Sequence, residues 1–218
     1  MQKLCAVALV AAALTAGAVS VSAQTTNALP IVNATFTNPV VADGSYTTTV
    51  PGWNAGTSGG VGAVLNRTTS PFVNQTGNQL GQIYSTSGWS GFFNQTLSNN
   101  FVIGDIYTLT ANFCNDAGMT GFALSIDQAG VAILASTPIT TTAANTLVPF
   151  SVSWTNNSLS SPIEIAVENL GGAQGGHGLE FDNFQISQIT PVPEPAGVAL
   201  AAVGGLALVL AYRRRRSA

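Results

Sequence analysis

A few residues in this chain have the types and spacing that bear on chemistry. Glu164 and Glu168 fall on one side of an extended segment, about 13 Å apart at strand rise. That is too far for the paired carboxylates that cleave a glycosidic bond. Glu180 and Asp182 stand closer, about 7 Å on a regular strand. His177 is the only histidine and lies within Gly175-Gly176-His177-Gly178, a flexible mount that holds a general base poorly. Cys5 belongs to the apolar amino-terminal run, so its removal leaves Cys114 without a partner for a disulfide. No nucleophile–base pair, phosphate loop or zinc spacing accompanies these groups. The residues therefore predict a protein without catalytic activity.

A second set suits recognition. Trp89, in the loop Ser87-Gly88-Trp89-Ser90-Gly91, together with Tyr84, Phe92 and Asn94, combines ring faces with an amide. Sugars stack their apolar faces on aromatic rings and give their hydroxyls to amides and carboxylates, so these four residues are the candidate carbohydrate surface. Charge excludes another class of partner. Between Gln24 and Thr190, Arg67 is the only cation against eight acids, a net charge of −7. A domain without a basic patch cannot neutralise phosphates, which argues against nucleic acid.

The elements that must carry these residues read as strands. Tyr107, Leu109, Ala111 and Phe113 alternate with Thr108, Thr110 and Asn112. The same period of two recurs in Phe122 to Asp127, Val131 to Ala135, Val148 to Thr155 and Ile163 to Glu168. Asp127-Gln128-Ala129-Gly130 reads as a hairpin turn. Leu179 and Phe181 share one parity and Phe184 and Ile186 the other, which places a bulge at Asp182-Asn183. Earlier in the chain, strands are expected at Ile31 to Phe36, Thr47 to Trp53, Val61 to Leu65, Gln82 to Ser85 and Phe92 to Leu97. Half-buried antiparallel strands with one wet face stack into an all-β sandwich.

The ends differ from this middle. Residues 1–23 read as a signal peptide: Lys3, an apolar run from Leu4 to Ala18, and Val21-Ser22-Ala23 for a signal peptidase. Residues 24–190 form one extracytoplasmic domain, and 191–218 form a tail. In that tail Pro193-Glu194-Pro195 precedes an uncharged stretch, 196–212, and then Arg213, Arg214, Arg215 and Arg216. Seventeen helical residues span about 25 Å, enough for a short membrane helix, and the arginines favour the cytoplasmic side.

This order of motif, helix and basic end resembles the PEP-CTERM proteins, substrates of exosortases in Gram-negative bacteria that make exopolysaccharide. The resemblance covers about the last 27 residues. It implies an exosortase as partner, transient single-pass attachment to the membrane, and delivery to the outer surface or extracellular matrix. The alternative is a permanent anchor.

The middle resembles the galactose-binding-like sandwiches, jelly rolls often found ahead of that signal. The matching segments are Val32-Asn33-Ala34-Thr35-Phe36, Pro51-Gly52-Trp53, Gln95-Thr96-Leu97, Tyr107-Thr108-Leu109 and Asp182-Asn183-Phe184. That family implies a structural calcium ion bound partly by Glu after the opening Phe. Thr37 stands there instead, leaving Asp43, Glu180 and Asp182 as oxygen donors. Taken together, these readings predict an exported, non-catalytic protein that associates with exopolysaccharide. The alternatives are a structural surface protein with no specific ligand or a secreted hydrolase.

Overall fold

The alternation of apolar and polar residues builds strands in the structure, a computed structural model that describes residues 24–57, 60–87, 91–115, 121–128, 131–135, 145–169, 174–191, 205 and 212. Among the described residues twelve strands follow in order: β1 (Gln24–Leu29), β2 (Tyr46–Thr47), β3 (Asn54–Thr57), β4 (Gly60–Asn66), β5 (Gln79–Ser87), β6 (Gly91–Asn100), β7 (Ile106–Asn115), β8 (Phe122–Gln128), β9 (Val131–Ala135), β10 (Val148–Thr155), β11 (Pro162–Asn169) and β12 (Gln174–Pro191). They make a seven-stranded sheet, β10-β7-β12-β5-β4-β2 with β1 beside β12, and a five-stranded sheet, β3-β6-β11-β8-β9. The all-β sandwich expected from the sequence is what forms.

The chain divides into two compact units. Thr26–Ile189 holds the sandwich. The other unit, Met1–Thr25 with Thr190–Ala218, has Gln24, Thr25, Thr190, Pro191, Gly205 and Tyr212 as its described residues, the last two helical. Among the described residues no helix is long and apolar enough to cross a membrane. The expected signal peptide, Pro193-Glu194-Pro195 and Arg213 to Arg216 lie outside the described residues.

Inward-facing aromatics of both sheets make the core. Phe93 of β6 meets Phe181 of β12 edge-on at 5.1 Å, and Phe36 and Trp53 close one end of the stack. Gly81 makes room for this packing, because a Cβ there would stand 2.2 Å from the Phe181 ring. Edge-to-face pairs at such spacings add to the area they bury.

The bulge predicted at Asp182-Asn183 is present. Register between β12 and β7 shifts between Asp182 and Gln185, and Asn183 takes a left-handed φ of 57°. The expected strand at Ile31 to Phe36 is a turn instead. The backbone groups of this segment and the residues after it are satisfied by buried side-chain amides. Gln95 accepts from Val32 N–H at 2.8 Å and donates to Val32 C=O at 2.9 Å. Gln79 accepts from Val41 N–H and donates to the carbonyls of Phe36 and Pro39. A segment so paired needs no strand neighbour. The expected strand at Thr47 to Trp53 shrinks to Tyr46–Thr47, and Trp53 packs as a buried turn residue with its indole N–H on Val32 C=O.

Candidate active site

Alternation sends the acids of these strands to the outer faces of the sandwich, where water normally covers them. Here they are dry. Glu180 is 2% exposed and Asp182 0% on the seven-stranded sheet; Asp127 is 2% and Glu164 7% on the five-stranded sheet. Buried carboxylates are costly unless paired or hydrogen-bonded, so each face calls for a physical account.

On the seven-stranded sheet, Glu180 stands opposite Cys114 of β7 on one side and Gln82 of β5 on the other. Gln82 Nε2 donates to Glu180 Oε1 at 2.9 Å. Both side chains lean over Gly178, where a Cβ would lie 2.7 Å from the amide and 2.8 Å from the carboxyl oxygen. Beside this pair lies a second apolar cluster, Phe72, Leu80, Cys114 and Leu147 with Leu65. The segment from Asn66 to Asn78 lies against this face. Val73 exchanges backbone bonds with Asn145 and Leu147, Asn74 Nδ2 donates to Leu147 C=O, and the Arg67 guanidinium lies 4.8 Å from the centre of the Phe72 ring. Asp182 ties the same segment down, accepting from Thr76 N–H and from Asn183 N–H, each at 2.7 Å. Burial pushes the Asp182 carboxyl up to about 7, with those two N–H groups and the Thr76 hydroxyl holding it down. The result is a carboxyl held by an amide against an apolar wall.

On the five-stranded sheet, Asp127 of β8 stands opposite Glu164 of β11. Glu164 accepts from Asn94 Nδ2 at 2.7 Å. Burial pushes Asp127 up to about 6; the neighbouring Ser125 favours the ionised form, while repulsion from Glu164 and Glu168 opposes it. Phe92, 38% exposed, stands opposite Glu168.

The structure divides the aromatic surface expected from the sequence. Phe92 and Asn94 belong to β6 of the five-stranded sheet, and Tyr84 to β5 of the seven-stranded sheet. Trp89 lies outside the described residues. The proposed calcium donors are not gathered either. Asp43 is exposed and accepts from Thr69 N–H, an interaction that together with the Thr69 hydroxyl holds its carboxyl below the usual range. Both Asp182 oxygens already accept N–H bonds, and the described residues contain no group of three or more His, Cys, Asp or Glu able to hold an ion. Calcium takes six to eight oxygens, and these residues do not fit one. Gln82, Gly178 and the apolar cluster were missed as a site. The parity of β5 and β12 was the signal available, since it places Gln82 and Glu180 on the same outward face.

A separate cavity of about 520 Å³ is lined by Leu29, Ile31, Ala34, Thr108, Phe184 and Gln185, among others. No ionisable side chain lines it, so it can hold a group but not exchange protons with it.

The family model HpiC1-like, described as HpiC1 cyclase, matches residues 27–187. Among solved structures, the Stig cyclase FisC from Fischerella sp. TAU, in complex with (3Z)-3-(1-methyl-2-pyrrolidinylidene)-3H-indole, superimposes with a TM-score of 0.66 at 20% identity, covering 78% of this chain and 100% of that one. An apo cyclase from Fischerella sp. gives 0.64 at 21%, covering 77% and 98%. A cyclase from Fischerella sp. TAU in complex with 4-(1H-indol-3-yl)butan-2-one gives 0.63 at 20%, covering 77% and 99%. These likenesses share the fold. No curated protein matches the chain.

The family match corrects three expectations. The family is HpiC1-like, not the PEP-CTERM group inferred from the last 27 residues; the match spans residues 27–187, the stretch that holds the sandwich. A non-catalytic protein gives way to a family of enzymes. An exopolysaccharide-associating role gives way to a cyclase role. The physical reason is that nucleophile–base pairs and glycosidase spacing are marks of hydrolysis and acyl transfer, and their absence does not bear on ring closure.

Proposed function

We infer the activity from one premise: this chain belongs to the HpiC1-like cyclase family. It is an acid-assisted cyclase acting at the outer face of the seven-stranded sheet, with Glu180 as the proton donor. The observation that carries this reading is Glu180 itself, buried, held by Gln82 and bordered by the apolar cluster of Phe72, Leu80, Cys114 and Leu147.

The chemistry balances as an isomerisation. Glu180 gives a proton to one π-bond of an unsaturated substrate, and a carbocation forms at the neighbouring carbon. A second π-bond of the same molecule attacks that carbon, so a carbon–carbon bond closes the ring. Loss of a proton from the cyclised cation to the Glu180 carboxylate restores the acid. The apolar wall keeps water from capturing the cation, and the low local dielectric strengthens the carboxylate's hold on it. Gln82 fixes the carboxyl orientation, and Asp182, through Thr76, holds the covering segment. The ligands of the Fischerella cyclases suggest an indole substituted at carbon 3, and the ring closure itself requires that the substituent carry a π-bond.

The test is turnover of such an indole, followed by product mass and ring count, together with calorimetric binding of 4-(1H-indol-3-yl)butan-2-one. The expected result is a product of unchanged mass with one more ring, and a Glu180→Gln variant that binds the butanone but does not turn over. Absence of cyclised product from the wild type, or full activity in Glu180→Gln, would overturn the reading.

A further inference from the structure

The five-stranded sheet carries a second site that ring closure does not use. Among the described residues, three side-chain oxygens on this face are buried without a hydrogen-bond partner: Asp127 Oδ1, Ser125 Oγ and Asn94 Oδ1. Register places them together. Ala166 of β11 stands between Asn94 of β6 and Ser125 of β8, and Asp127 follows two residues after Ser125, opposite Glu164. The methyl of Ala166 keeps the floor low, and Glu164 and Glu168 flank it along β11.

The chemistry of the orphan atoms points one way. A carboxylate oxygen and an amide carbonyl accept only, and a serine hydroxyl accepts as readily as it donates. The Asn94 orientation is set, because its Nδ2 is committed to Glu164 Oε1; the reverse placement would set oxygen against oxygen. The Ser125 hydroxyl is the one donor among these three groups and can serve a single acceptor, as it does in favouring ionised Asp127, so the face is short of donors and a positively charged one suits it. The only cation between Gln24 and Thr190 is Arg67, whose guanidinium lies over Phe72 on the other sheet. A buried acceptor left unpaired costs about 1–3 kcal/mol, so three on one face favour a ligand that supplies N–H groups.

Two features choose between a metal ion and an organic cation. No group of three or more His, Cys, Asp or Glu is gathered among the described residues, so a hard ion would find too few charged ligands. Phe92, exposed and opposite Glu168, offers a ring face that an ammonium-bearing chain can use and a hydrated metal ion cannot. We propose that this face binds a protonated primary amine, with its N–H groups on Asp127, Asn94 and Ser125 and its carbon chain over Ala166 toward Phe92. Glu164 and Glu168 supply the surrounding negative field. A bound ammonium would also oppose, by its charge, the burial and like-charge repulsion that push Asp127 up to about 6.

The experiment is calorimetric titration of the full chain with n-butylammonium chloride, with tetramethylammonium chloride and calcium chloride as comparisons. Butylammonium is expected to bind saturably, and more tightly than tetramethylammonium, which has no N–H to give. Asp127→Asn should weaken it by roughly 10-fold or more, and Phe92→Ala by roughly 3- to 10-fold. Ser125→Ala, a small change on the same face, keeps the test open should either variant fold poorly, and is expected to weaken binding as well. Glu180→Gln should leave butylammonium affinity unchanged, which separates this site from the cyclase site. No saturable butylammonium binding, equal binding of tetramethylammonium, calcium binding without butylammonium binding, or affinity untouched by Asp127→Asn and Ser125→Ala would each overturn the proposal.

Discussion

The two outer faces of this sandwich start from the same arrangement and end differently. Each places two carboxyl groups where a sheet normally meets water, and each keeps them dry. On the seven-stranded face the surroundings answer one oxygen of Glu180 and both of Asp182. Gln82 donates to Glu180, Thr76 and Asn183 donate to Asp182, and a small apolar cluster stands alongside. On the five-stranded face Asn94 answers Glu164, while an oxygen of Asp127 and the hydroxyl of Ser125 have no partner among the described residues. A buried acid held in place suits repeated proton transfer. A buried acid left short of donors suits a ligand that brings them.

The sharpest way to break this comparison is to remove the acid assigned to chemistry. Glu180→Gln keeps the shape and loses the proton, so ring-closing turnover should fall by about 10²- to 10⁴-fold. Thermal unfolding and binding of 4-(1H-indol-3-yl)butan-2-one should change little. The equivalent change on the other face, Asp127→Asn, should leave turnover intact.

The next effect is on stability. Asp182→Ala removes the acceptor for Thr76 and Asn183, leaving two N–H groups short of a partner near the bulge. Denaturant unfolding should show a loss of about 2–4 kcal/mol. Limited proteolysis should cut first within Asn66 to Asn78, the segment that Asp182 ties down.

A third prediction uses pH to separate the faces. Burial pushes the Asp127 carboxyl up to about 6 in the folded protein, above the ordinary aspartate value of about 4. Between roughly pH 4 and 6 the folded state therefore holds a proton that the unfolded state has released. Its contribution is fully present below pH 4, is lost as pH rises through 6, and is level beyond. For Asp182, at about 7, the same decline runs on to neutral pH. Asp127→Asn should flatten the lower part of this fall and raise stability at pH 7 by about 1–3 kcal/mol. A pH–stability curve identical to wild type would remove the argument that this carboxyl is buried at a cost.

Smaller effects sharpen the picture of the cyclase face. Gly178→Ala sets a methyl against Gln82 and Glu180, so it should lower turnover more than it lowers melting temperature. Because Asp43, Glu180 and Asp182 are not gathered, Asp43→Asn should leave the response of the melting temperature to calcium the same as in the wild type.

Much of the sandwich was legible before any coordinates. The period of two from Ile106 onward and the parity break at Asp182-Asn183 both report local geometry, and the corresponding strands and bulge are present; the turn expected at Asp127 to Gly130 falls partly outside the described residues. The opening segment was not legible, because Gln95 and Gln79 satisfy its backbone from 38 to 63 residues away. The placement of the aromatic residues was not legible for a related reason. Tyr84 and Phe92 are eight residues apart in sequence but stand in different sheets.

The pattern of side chains along each strand was enough to fix a two-sheet β architecture and to mark Glu164, Glu180, Asp127 and Asp182 as outward residues, because alternation is a property of the local backbone. Which of those acids are dry, which are answered and by what partners depended on strand order and on a loop folded over one face. Gln82 reaches Glu180 across 98 residues and Thr76 reaches Asp182 across 106. Burial and hydrogen bonding are set by neighbours distant in sequence, and it is those neighbours that give chemically similar carboxyl groups different work.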